Sequence, residues 1–302
     1  MTAASRPGPA TAPGADALGR RAAPTSPRRR FLRGFARNRG AVAGAAILLL
    51  LAVVALVGPR LVANPLAQDV PNRLRPPGPG HWFGTDEFGR DVLARVVNGA
   101  PISLASSLAS VAVGLGLGLA IGLVAGYAGG KTGVGLMALV DVLLALPAIL
   151  LAITIAANIG QGLPAAMIAA GFVTLPAYAR LARASTLAVR RREMVDAARA
   201  IGAGDARIMT RHILPNILTP LIVQSTIGVG NAILLVSALG YLGLGAQPPT
   251  PEWGRMLSDA QRQITAAPWI GIFPGLAITL TVLGFNLAGD GLRDALDPAR
   301  PR

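Results

Sequence analysis

Some short stretches of this sequence carry residue types that could do chemistry. The first is AGYAGGKT, Ala125 to Thr132. A phosphate loop needs G-x-x-x-x-G-K-[ST], because glycines at both ends let backbone N–H groups close around the phosphates. Gly130, Lys131 and Thr132 fit, but the leading position is Ala125, and Gly126 falls one residue late. The motif also needs a strand before it. Apolar, helix-length runs flank it here, so the spacing predicts a glycine turn carrying a lysine. The second stretch is HWFGTDEFGRD, with His81, Asp86, Glu87 and Asp91 close together. One imidazole among carboxylates is a thin metal donor set. The stretch reads better as an amphipathic interfacial helix, with Asp86 and Arg90 paired at i,i+4. The third is Asp141, an acid inside the apolar run VDVLLALPAIL. An acid within a membrane helix is a candidate for ion or proton coupling. Asp141 falls near the start of the predicted third helix, where a carboxylate also suits the helix N-terminus and reaches water. There is no cysteine, which excludes disulfides, thiolate metal sites and cysteine nucleophiles. No acids, histidines and nucleophiles converge as a membrane enzyme would require.

The elements that position these residues follow from composition. The chain has 302 residues, of which 52% are hydrophobic and only 14% charged, with mean hydropathy +0.54. Soluble domains carry about 25% charge, so this is an integral membrane protein. A charge at the bilayer centre costs about 2.5–3.5 kcal/mol, and charge-free runs therefore mark spans. They predict an all-α chain with six transmembrane helices at about 41–62, 102–128, 138–158, 164–182, 216–242 and 269–288. The run from Val142 to Ala179 is too long for one crossing, and NIGQGLP, Asn158 to Pro164, supplies its turn. Trp253 and Trp269 are placed as interfacial anchors.

The formal charge of +14 and pI near 11.7 could suggest nucleic acid. In a membrane chain, arginines instead set topology. Nine lie in the tail up to Arg39 and eight between Arg180 and Arg211, which predicts both termini on the cytoplasmic side. Residues 1–30 read as a disordered cytoplasmic tail, and 298–302 as a second short tail. PRRRFLR, Pro27 to Arg33, resembles a twin-arginine signal, but five further spans follow, and it reads better as the flank of the first helix. In the second span Ser106, Ser110, Gly114, Gly118, Gly122 and Gly126 recur every fourth residue, a helix-packing seam on one face.

The most informative stretch is the loop RREMVDAARAIGAGDARIMTRHILPN, Arg191 to Asn216, within a cytoplasmic segment 183–215. Met194 to Ala200 forms helix, Gly202 and Gly204 interrupt it, and Asp205 is placed as the N-cap of a second short helix to His212. A DNA-binding helix–turn–helix would look similar, but this unit is tethered between spans.

This loop resembles the EAA loop of the membrane subunits of binding-protein-dependent ABC importers. Asp196, Ala197, Ala198, Gly202, Leu214 and Pro215 fall at the family spacing, while Asp196 replaces the usual Glu and His212 the usual Ile. HWFGTDEFGRDVLARVVNGAPISL, VDVLLALPAILLAI and ALGYLGLGAQPPTPEWGRML resemble the C-type permease of dipeptide, oligopeptide and nickel importers. The resemblance covers 31–297, a type I ABC importer permease fold. It implies a peptide-translocating subunit, with an importer for nickel or another small solute as the alternative. It also implies a second related permease, one or two ABC ATPase subunits that bind ATP and Mg, and an extracytoplasmic binding protein. This chain would itself bind no cofactor and hydrolyse no ATP. Asp196 to Gly202 would be the contact with the ATPase. A self-contained secondary transporter is the rival class, and would predict inverted repeats that the halves do not display.

Overall fold

The computed structural model describes residues 35–296. The two tails and the Pro27–Arg33 segment lie outside those residues. Among the described residues, five helices are long and apolar enough to cross a membrane. They are α1 (Arg39–Leu61), α2 (Val92–Ala128), α5 (Leu163–Arg190), α7 (Leu214–Tyr241, continuous with the helical turns from Asp205) and α9 (Trp269–Leu296). Between them stand α3 (Gly130–Leu144), α4 (Ala148–Ile159), α6 (Glu193–Ala200) and α8 (Trp253–Ala260).

The helices start and stop where local chemistry requires. The Asn38 side chain accepts from the Ala41 N–H at the head of α1, and Asp91 accepts from Ala94 at the head of α2. Gly129 (φ +65°) and Gly130 (φ +51°) turn the chain between α2 and α3. AGYAGGKT is thus a helix–turn–helix junction with no strand before it.

The third predicted span is corrected. Residues 138–158 are not one rod: α3 and α4 meet at 94° across Ala145, Leu146 and Pro147. Pro147 lacks the N–H that would continue the ladder, and its ring pushes Leu146 out of helical geometry. The pair is a sixth crossing only if the bent unit is counted as one. Asp141 is corrected with it. It lies near the end of α3 rather than the start of a helix, and Arg180 of α5 holds it at 2.7 Å on an exposed face.

The bundle is closed by small residues. A Cβ at Gly44 of α1 would lie 2.5 Å from the Ala288 backbone nitrogen of α9, and one at Gly291 would collide with Ala41. Such approaches maximise dispersion between helices in a lipid environment, where apolar burial alone gives no drive to associate. Leu49, Leu50 and Leu56 stay exposed on α1, an apolar face that suits acyl chains.

The end of the bundle where α2 begins differs most from expectation. His81–Arg90 is not a helix but a chain of turns with antiparallel bridges Gly78–His81 and Thr85–Asp91. Gly84 and Gly89 both adopt φ +74°, and a Cβ at Gly89 would collide with the Asp69 carbonyl. The Asp86–Arg90 ion pair does form, at 2.6 Å and buried, across this tight loop. His81 pairs with Asp91 at 2.8 Å, not with Asp86 or Glu87. α2 starts ten residues before the predicted 102, because Arg95 is accommodated by Asp86 and Asp259 at 3.6 Å each. Neither tryptophan is an interfacial anchor. Trp253 is 1% exposed and donates its indole N–H to the Val96 carbonyl, and half-buried Trp269 donates to Thr85. Glu252 caps α8, accepting from the Gly254 and Arg255 N–H groups and from the Ser103 hydroxyl. Burial pushes its carboxyl above the ordinary range, and those three donors pull back against that rise.

Candidate coupling surface

α6 sits at the far end of α2 and α5 from this ionic region. Its sequence EMVDAARA is amphipathic over two turns. Val195 and Ala198 point inward and are buried, against an apolar cluster that includes Val189 of α5 and Ile208, Ile213 and Ile217 at the head of α7. Asp196, Ala197, Arg199 and Ala200 face outward. Every apolar side chain that can hold α6 to the bundle is therefore on one face, and the other is open.

Gly202 ends the helix with φ +80°, its N–H donating to the Arg199 carbonyl at 2.9 Å. No atom lies within 4 Å of a Cβ built there, so the glycine is required by backbone conformation rather than by space. Beside it Ile201 is 86% exposed, an apolar side chain at the tip of the unit that sequence reasoning missed. Asp196 pairs only loosely with Arg199, at 3.7 Å on the surface. A pair of that kind contributes about 0–1 kcal/mol and leaves the carboxylate available.

The second half of the loop is corrected. Gly204, not Asp205, occupies the cap position, and Asp205 is the first helical residue. It accepts a hydrogen bond from the Tyr127 hydroxyl at 2.5 Å. No separate helix ends at His212. The backbone runs through a π-helical stretch, Ile208–Ile213, directly into α7. Pro215 cannot donate to the Arg211 carbonyl, and the wider turn just before it relieves that mismatch. Asp196, Ala197, Gly202 and Pro215 are exposed, Ala198 is buried and Leu214 half-buried against the same apolar cluster. The six are thus one outward surface and its internal support, not a pocket.

Tyr127 ties this unit to α2. Besides its bond to Asp205, its ring lies under the Arg190 and Arg199 guanidiniums, 5.6 and 5.7 Å from the centroid. The only sequence signal for it was its place in AGYAGG, two residues before the Gly129–Gly130 turn. Above it the small-residue stripe of α2 lies on α5. A Cβ at Gly118 would come 2.6 Å from that of Tyr178, one at Gly122 2.3 Å from the Ala179 carbonyl oxygen, and one at Gly126 2.7 Å from Thr186, with Gly114 in direct collision with Thr174. The apolar cluster thus joins α6 to α5 and α7, and Tyr127 joins the same unit to α2.

Residues 118–301 match the family described as binding-protein-dependent transport system inner membrane component. The chain belongs to that family. Residues 26–77 match the N-terminal membrane domain of oligopeptide transport permease C. The chain is 50% identical over 282 residues to the dipeptide transport system permease protein DppC of Escherichia coli K12, covering 91% of this chain and 94% of that protein. It is 45% identical to the DppC of Alkalihalophilus pseudofirmus, with 90% of each covered, and 46% identical to the glutathione transport system permease protein GsiD of Shigella flexneri, with 90% and 91% covered. Among solved structures, a chain of the MetNI methionine ABC transporter in an inward-facing conformation is similar with TM-score 0.54, covering 67% of this chain and 97% of that one. Its identity is 22%, so it speaks for the fold alone. The family member is a multi-pass protein of the plasma membrane, a permease of an ABC importer.

Proposed function

We propose that this chain translocates di- or oligopeptides as one permease subunit of an ATP-driven importer. Its cargo is delivered by an extracytoplasmic binding protein. ATP and Mg are bound by one or two separate ATPase subunits, and a second related permease completes the pathway. The arginine-rich segments favour the cytoplasmic side for α6 and both termini. Peptide cargo is supported by the names of the dipeptide permeases that align over about nine-tenths of the chain.

The observation that carries the coupling role is the division of α6 into two faces. Val195 and Ala198 fix it to α5 and α7, while Asp196, Ala197 and Ile201 are presented outward with nothing among the described residues covering them. An ATPase subunit that closes on ATP would grip the outer face and move the helix as a rigid body. Asp196 would accept a charge-assisted hydrogen bond there.

The test is uptake in cells lacking their own copy of the chain. Asp196→Arg and Gly202→Val are expected to abolish accumulation of labelled dipeptide while membrane insertion stays normal. The wild-type chain should co-purify with an ATPase and a second permease. Normal uptake by both variants removes the coupling role, and uptake of Ni²⁺ in place of dipeptide reassigns the cargo.

A further inference from the structure

At the opposite end of α2 from α6, four arginines converge on one cavity of about 230 Å³. Arg90 and Arg95 are its buried members, Arg255 is partly buried, and Arg262 is exposed at the rim beside Pro248 and Pro249. Three carboxylates lie within reach. Asp86 takes Arg90 at 2.6 Å and Arg95 at 3.6 Å, and Asp259 takes Arg255 at 2.8 Å and Arg95 at 3.6 Å. Glu87 stands 3.9 Å from Arg262. Asp91, the next acid along the chain, is taken up by His81. Four guanidiniums thus face three carboxylates.

The surplus has a location. Arg95 is 3% exposed, and its Nη1 has no hydrogen-bond partner among the described residues; the same holds for Nε of Arg255. Both atoms have almost no accessible surface, so they mark a local excess of buried positive charge rather than donors open to the cavity. The planar guanidinium fork matches a carboxylate, which can accept two N–H bonds at once. A cavity of this size holds one such group with a short organic stem; a single water occupies about 30 Å³.

We propose that this cavity is a binding site for the carboxylate of a small molecule, free acid or peptide terminus. One negative charge balances the fourth arginine. Arg262, at the mouth, steers the anion inward and Glu87 opposes it. The site stands apart from α6 and does not depend on the transport reading, so its failure would leave that reading intact.

The experiment uses the full-length chain, purified in detergent with the subunits that accompany it, and reads the line width of [1-¹³C]acetate. The wild type is expected to broaden the resonance. Unlabelled Ala-Ala should compete the broadening away, whereas Ala-Ala-amide and equimolar chloride should not. Arg255→Gln is expected to weaken binding about tenfold or more, the loss of a charge-assisted hydrogen bond. Glu87→Gln should strengthen it about two- to fivefold, by removal of an opposing, partly exposed charge. A gain in Glu87→Gln cannot come from misfolding, and it separates a binding site from a merely structural ion cluster. Competition by acetate but not by Ala-Ala restricts the site to free acids within the same chemistry. Equal competition by the amide or by chloride, or equal broadening in wild type and Arg255→Gln, overturns the proposal.

Discussion

Gly116→Ala and Gly122→Ala place the same methyl group on the same helix, and their effects should have opposite signs. Both replacements raise intrinsic helix preference, by about 0.5–1 kcal/mol. At Gly116 the new methyl meets nothing within 4 Å. That variant should be unchanged or slightly more stable. At Gly122 it would lie 2.3 Å from the Ala179 oxygen, 2.7 Å from the Ala182 Cβ and 2.9 Å from the Arg183 nitrogen. The closest of these falls about 1 Å short of ordinary van der Waals contact. None of the three atoms can swing away, because two are backbone and one is a Cβ. α2 and α5 must therefore part, loosening the contacts at Gly118 and Gly126 as well. Overpacking of this kind costs about 1–3 kcal/mol. The two variants should differ by about 1–3 kcal/mol, the overpacking cost alone, because the helix gain is common to both. The assay is unfolding of the purified chain in mixed micelles with increasing SDS mole fraction, followed by helical circular dichroism. Equal midpoints for the two variants, or a stabilised Gly122→Ala, would refute the seam as the contact between α2 and α5.

Three more outcomes follow from single contacts. Tyr127→Phe removes the bond to exposed Asp205, which water can replace, so stability should fall by only about 0.5–1.5 kcal/mol; backbone amides of 193–204 should exchange faster by hydrogen-exchange mass spectrometry, and unchanged exchange would deny Tyr127 its anchoring role. Trp253→Phe leaves the buried Val96 carbonyl without its donor and should cost about 1–3 kcal/mol by thermal midpoint, a loss that an interfacial anchor would not suffer. Glu252 holds its proton more tightly folded than unfolded, so its stabilising contribution is complete below the ordinary value of 4.5 and is lost as pH rises through the raised folded value; Glu252→Gln should flatten the fall in midpoint on going from pH 4 upward, and an unchanged slope would assign it to another group.

What the sequence made legible is what depends on neighbours along the chain. The apolar runs located five crossings because charge is expensive in lipid wherever the helix packs. The glycine spacing of α2 marked a face, since residues four apart share one, but the face does not name its partner; α5 emerged only from the packing. Gly202 was legible as a turn because left-handed backbone favours glycine in any context. The segment after α6 was read as a second, separate short helix to His212 because Asp205 follows the interruption at Gly202 and Gly204, a sound capping signal. Tertiary contacts overrode it: Tyr127, far away in sequence, claimed the carboxylate that a cap would have used.

The misreadings at the other end of the bundle share one physical cause. Reading spans by absence of charge treats every arginine as solvated, and Trp253 and Trp269 were assigned to an interface on the same assumption that polar tips seek water. Arg95 is buried because Asp86 and Asp259 arrive from a turn before α2 and from α8, and both tryptophan N–H groups are satisfied by carbonyls of the chain. Once partners come from distant segments, a charge no longer marks a helix end, and α2 extends through Arg95 to its cap at Asp91. The i,i+4 spacing of Asp86 and Arg90 was correct as a pairing and wrong as a helix, because a tight turn around Gly89 brings the same two side chains together. Spacing alone therefore identifies which charges meet, while the backbone that joins them is decided by Asp69, whose carbonyl occupies the space where any side chain at position 89 would stand.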